Sequence, residues 1–73
     1  MRTYLAKMRI ERHMSQQDVA RAIGISESYY DLIERGERQK DMDYSLLVKF
    51  SCLFNTSIDA LVSHESRCLH FKG

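Results

Sequence analysis

The chain has 73 residues, room for one domain, and its eleven Lys and Arg against ten Asp and Glu leave a formal charge of +1. It is 44% hydrophobic and 29% charged, a globular balance, and no apolar run exceeds three residues (Leu46-Leu47-Val48), so no segment is expected to span a bilayer. A domain this short buries about 60% of its unfolded surface, too little core to enclose a substrate cavity, which argues against an enzyme.

In chain order, Leu5 and Met8 share one side of a first helix over residues 3–12, and His13-Met14 breaks the pattern. Ser15 offers an N-cap oxygen, and Asp18 three residues on completes a capping arrangement with a negative charge in the first turn. Val19, Ala20 and Ile23 form the apolar face of a second helix ending at Gly24, which suits a left-handed terminus. Ser26 caps a third helix that runs to about Arg35 and stops at Gly36. Residues 37–41 are charged and read as an exposed loop. Asp43 caps a fourth helix with Tyr44, Leu47, Phe50, Ser51 and Phe54 inward, and Asn55 suits the position past its end. Ser57 caps a short fifth helix with Ile58, Leu61 and Val62 inward. Residues 64–73 lack a clear period and read as a tail following a domain of residues 1–63. Five short helices and no strand make an all-α domain.

Residues 16–35 carry the most specific pattern. A small residue, Ala20, lets two helices approach closely, and Gly24 permits the bent turn between them. Ile25, Tyr30 and Ile33 anchor the far helix, leaving Glu27, Ser28, Asp31 and Leu32 facing outward with nothing to bury them. That is a helix-turn-helix layout, in which the second helix enters the DNA major groove by its N-terminal residues.

On these residues the chain resembles the helix-turn-helix family of phage Cro and repressor proteins, the xenobiotic-response-element type, and their bacterial relatives. The shared pattern is Met8-Arg9, Met14-Ser15-Gln16, Val19-Ala20, Ile23-Gly24-Ile25-Ser26, Ser28-Tyr29 and Ile33-Glu34-Arg35-Gly36. It continues in Leu47-Val48-Lys49-Phe50 and in residues 53–59 with Leu61, so it covers about Leu5 to Leu61. The resemblance implies a five-helix, lambda-repressor-like fold and a sequence-specific transcriptional regulator, a repressor acting by operator occupancy. By position it makes Arg9 and Glu34 a structural ion pair, and Glu27, Ser28 and Leu32 the base-reading residues. Glu27 suits cytosine N4, Ser28 several base edges and Leu32 a thymine methyl. Gln16, Ser26, Tyr29, Arg35, Arg38 and Lys40 fall where the DNA backbone would lie, with Arg12 and His13 adding positive character near the second helix.

Glu27, Asp31 and Glu34 make the reading helix acidic, which a phosphate-lined groove repels unless each carboxylate finds a donor. Tyr30 stands where the family carries a smaller branched residue, and Lys40-Asp41 occupy a loop that there often holds proline. The acidity motivates an alternative function, a protein-interaction module of the same fold that binds another protein, as an antitoxin-like partner or an anti-regulator.

Leu46, Val48 and Leu53 lie off the core stripe of the fourth helix, and Val62, Leu69 and Phe71 follow along the fifth. A single small domain reads few base pairs, so a homodimer on a palindromic operator is expected, with Leu46, Leu53, Val62, Leu69 and Phe71 at its interface. His64, Cys68 and His70 supply at most three ligands where structural zinc takes four, and no base or oxyanion site accompanies them. Cys52 reads as a small apolar residue of the fourth helix. No metal, cofactor or catalytic residue is expected. The N-terminal residues carry no secretory pattern, and the expected location is the cytoplasm.

Overall fold

The computed structural model describes residues 1–70, with side chains through Ser66. Five helices follow one another: α1 (Thr3–Glu11), α2 (Gln16–Ile23), α3 (Glu27–Arg35), α4 (Tyr44–Phe54) and α5 (Ile58–His70). No strand occurs among the described residues.

Each break has a short-range cause. At α2, Ser15 Oγ accepts from the Asp18 N–H at 3.0 Å and Asp18 Oδ2 accepts from the Ser15 N–H at 2.9 Å, a complete capping box. Hydrogen bonding to the Ser15 backbone N–H, and then to the Ser15 side chain, holds the Asp18 carboxyl below its ordinary range. Gly24 and Gly36 end α2 and α3 at φ 79° and 80°, a backbone region that glycine enters without steric cost. Asn55 ends α4 in the same left-handed region, and Ser57 Oγ accepts from the Ala60 N–H at the start of α5. Asp43 occupies the N-cap position of α4, but its side chain makes no capping bond.

The core is built where the helices converge. Leu5, Val19, Ala20, Ile23, Tyr30, Ile33, Phe50, Phe54 and Leu61 are all buried, and α2 packs most extensively on α3. Phe50 and Phe54 stack at 5.9 Å between ring centroids, with Tyr30 tilted against Phe50 at 6.2 Å. Arg12 closes this end of the core. It donates to the Phe54 carbonyl at the end of α4 and lies 5.4 Å over the Phe54 ring. Its guanidinium thus serves the scaffold while remaining exposed and without a carboxylate partner among the described residues.

The inward face of α4 differs from the sequence expectation. Leu46, Leu47, Phe50 and Phe54 are buried, whereas Tyr44 is 70% exposed. The buried row runs 46–50–54, one helical turn per step, and Tyr44 at the first position of the helix falls outside it. Leu46 is thereby corrected from interface candidate to core residue. Cys52, expected as a small apolar residue of α4, is exposed.

The C-terminal boundary also moves. Helix α5 continues to His70, through residues expected to be an aperiodic tail beginning at 64, so residue 63 is not the end of the folded structure. The contacts that draw it on are polar and long-range. His64 stacks on Tyr4 at 4.8 Å, and Glu65 accepts from the Tyr4 hydroxyl and from Arg2 Nε, the latter at 2.7 Å. Neither contact leaves an apolar period in the sequence. No helix among the described residues is long and apolar enough by itself to cross a membrane.

Candidate nucleic-acid interface

Helix α3 is held by one row and left uncovered on the opposite one. Tyr30, Ile33 and Glu34 are buried, and Ile25 in the preceding turn is half-buried against the same core. The turn is closed by the Ile25 N–H donating to the Ala20 carbonyl at 2.9 Å, and buried Ala20 permits the close approach of α2 and α3. Ser26 Oγ accepts from the Tyr29 N–H at 3.1 Å and starts the helix. Opposite the buried row, Ser28, Leu32 and Arg35 lie at i, i+4 and i+7. Ser28 and Arg35 are exposed and Leu32 is half-exposed, while Glu27 is exposed at the first turn, where the helix dipole favours its negative charge.

Two of the three acidic residues on this helix are engaged by partners. Glu34 is buried and accepts from Arg9 Nε at 2.8 Å and from the Tyr30 hydroxyl at 2.6 Å. The Arg9 guanidinium also donates to the Met14 carbonyl at 3.1 Å, so it closes the α1–α2 corner as well. Its bond to Glu34 raises the Arg9 pKa further despite partial burial. Asp31 pairs with Arg35 at 3.0 Å, and Gln16 Nε2 donates to Asp31 Oδ1 at 2.9 Å and to Glu34 Oε1 at 3.1 Å. Among the described residues Glu27 is the carboxylate of α3 without an ion-pair partner. The acidity legible in the sequence is therefore largely absorbed by the fold.

The expected backbone contacts divide by their surroundings. Arg38 and Lys40 are exposed in the loop after α3. Tyr29 is half-buried, its hydroxyl accepting from Gln39 Nε2 at 2.7 Å, which folds that loop back along the N-terminal half of α3. Gln16 spends its side-chain amide on α3, while the backbone N–H groups of the first turn remain at the start of α2 beside the exposed Gln17. Gln39 and the buried Arg2 escaped the sequence reading, because their partners are distant and neither belongs to a periodic row.

Of the proposed interface residues, Val62 is 45% exposed and Leu53 half-buried, while Phe71 and the side chain of Leu69 lie outside the described residues. The side chains of Cys68 and His70 lie outside them too, and among the described residues no three His, Cys, Asp or Glu side chains converge as metal ligands.

The helix-turn-helix family model matches residues 5–61. YqaE of Bacillus subtilis (strain 168), an uncharacterized HTH-type transcriptional regulator, is 34% identical over 62 residues, which are 85% of this chain and 52% of YqaE. YqaF of the same organism, named in the same way, is 44% identical over 39 residues, 53% of this chain and 51% of YqaF. This chain thus spans about half the length of the curated relatives it matches. No solved structure gives a significant match. With a matched span that runs from α1 through the first turn of α5, well over half of its length, the chain belongs to the Cro/C1-type helix-turn-helix family.

Proposed function

We propose that this chain is a sequence-specific DNA-binding transcriptional regulator that acts in the cytoplasm as a Cro-like repressor, by occupying its operator. The observation that carries this reading is the uncovered row of α3, left open by a core that buries only the opposite face and ties up Glu34, with Asp31 held by the Gln16 amide. Glu27, Ser28 and Leu32 reach base edges in the major groove. Ser26, Tyr29, Arg35, Arg38, Lys40 and the first-turn N–H groups of α2 meet the phosphate backbone. Two copies on a palindromic operator place two such helices one DNA turn apart.

The test is selection of bound duplexes from a random pool by the full chain. A palindromic consensus is expected, with binding that weakens steeply as salt rises. Replacing Ser28 or Leu32 changes the selected bases, whereas Arg38→Ala weakens all duplexes alike. No enriched sequence at low salt, together with a stable complex with another protein, would replace this reading with a protein-interaction module.

A further inference from the structure

We propose that Arg2 is a positioning residue for this DNA face, setting the loop after α3 so that Arg38 and Lys40 stand beside the reading row. The proposal rests on the DNA-binding reading above and identifies what aligns its backbone contacts.

The Arg2 side chain is fully buried. A guanidinium stays charged and enters an interior only when its donors are satisfied. Here Nε donates to Glu65 Oε2 at 2.7 Å, Nη1 to the Ile33 carbonyl at 2.7 Å and to the Arg38 carbonyl at 3.1 Å, and Nη2 to the Gln39 carbonyl. The Arg2 backbone N–H donates to the Glu34 carbonyl at 2.7 Å. One residue thus takes up two carbonyls from the last turn of α3 and two from the loop that follows, with its positive charge at the negative end of the helix dipole.

The loop it grips is strained. Gln39 has φ 56°, a left-handed conformation that a non-glycine residue keeps only where its surroundings over-determine it. Three contacts hold it: Arg2 on its carbonyl, the Asp43 N–H on its Oε1 at 3.0 Å, and Tyr29 on its Nε2. Arg2 draws the carbonyls of residues 38 and 39 inward, and Gln39 pins the loop to Tyr29 on α3. The exposed Arg38 and Lys40 flank this pinned residue. Glu65 fixes Arg2 from α5, so the last helix contributes to the alignment of the DNA face without touching it.

The test uses Arg2→Met, which removes charge and donors at similar length, and Arg2→Lys, which keeps the charge but cannot serve four acceptors. Amide exchange in the free chain is expected to quicken at residues 37 and 38, whose N–H groups donate to the Leu32 carbonyl, while the α4 amides stay protected. On a selected duplex, the slope of log affinity against log salt is expected to fall by about 2, one for each misplaced cation. The bases selected through Ser28 and Leu32 should remain the same, and adding Arg38→Ala and Lys40→Ala to either variant should lower the slope no further. Simple loss of stability moves neither slope nor base preference in the folded fraction. Should Arg2→Met not fold, Arg2→Lys and Glu65→Gln carry the same measurements. A folded variant with wild-type loop exchange, or with an unchanged salt slope, overturns the proposal. A wild-type chain that retains no duplex at low salt sinks the DNA-binding reading and the phosphate half of this one, while loop exchange, read without DNA, separately decides whether Arg2 sets the loop.

Discussion

Gln16, the first residue of α2, donates one side-chain amide to two carboxylates of α3, Asp31 at 2.9 Å and Glu34 at 3.1 Å. Each amide hydrogen serves one acid, so the contact fastens the two helices of the motif and leaves the Gln16 side chain no donor for a phosphate. Gln16→Ala is expected to lower unfolding free energy by about 1 kcal/mol in urea titration. Gln16→Glu should cost more than Gln16→Ala, because it adds a third carboxylate to the same cluster. Equal stabilities for the two variants would show that the amide does not bridge the acids in solution.

Glu34 is buried and depends on Arg9 for its countercharge. Arg9→Met strands that carboxylate, at an expected cost of about 3–5 kcal/mol, a large share of the stability of a small domain. The double replacement Arg9→Met with Glu34→Leu removes both charges and should recover much of the loss. Thermal unfolding of the three proteins measures this, and a double variant no more stable than Arg9→Met would contradict the assignment.

Burial holds the Tyr30 phenol protonated well above its ordinary value of 10.0, and its hydrogen bond to Glu34 acts in the same direction. The unfolded chain releases this proton at the ordinary value, so the native state binds it more tightly. Its stabilisation is complete below about pH 10 and is lost progressively as pH rises beyond that. Denaturant midpoints should therefore fall on the alkaline side. Tyr30→Phe should be less stable at neutral pH, where Glu34 loses a donor, but should decline less steeply in alkali. A variant with the wild-type alkaline slope would assign that slope to other groups.

Leu46 and Val62 separate core from proposed interface. Leu46→Ala is expected to cost about 2–5 kcal/mol and leave the association state unchanged, since the side chain is enclosed by its own chain. Val62→Glu, at a half-exposed position, should change stability little yet abolish the proposed dimer. Sedimentation with and without duplex measures both, and a Val62→Glu protein that associates like wild type would place the interface elsewhere.

The breaks between helices were legible because their causes are local. Ser15 with Asp18, Gly24, Ser26, Gly36, Asn55 and Ser57 each act on backbone within a few residues, so short-range chemistry announces them. The Arg9–Glu34 pair was legible through family resemblance, and the structure joins it at 2.8 Å. Hydrophobic period placed Leu47, Phe50 and Phe54 inward on α4, where they are buried, but did not reveal that Leu46 joins them in place of Tyr44; packing against neighbouring helices settled that. Nor could local pattern reveal that Arg2 meets Glu65, that Arg12 ends on Phe54, or that Gln39 holds Tyr29. A polar contact between residues far apart in the chain repeats with no period and depends on helices already packed, so it comes into being only with the folded arrangement itself.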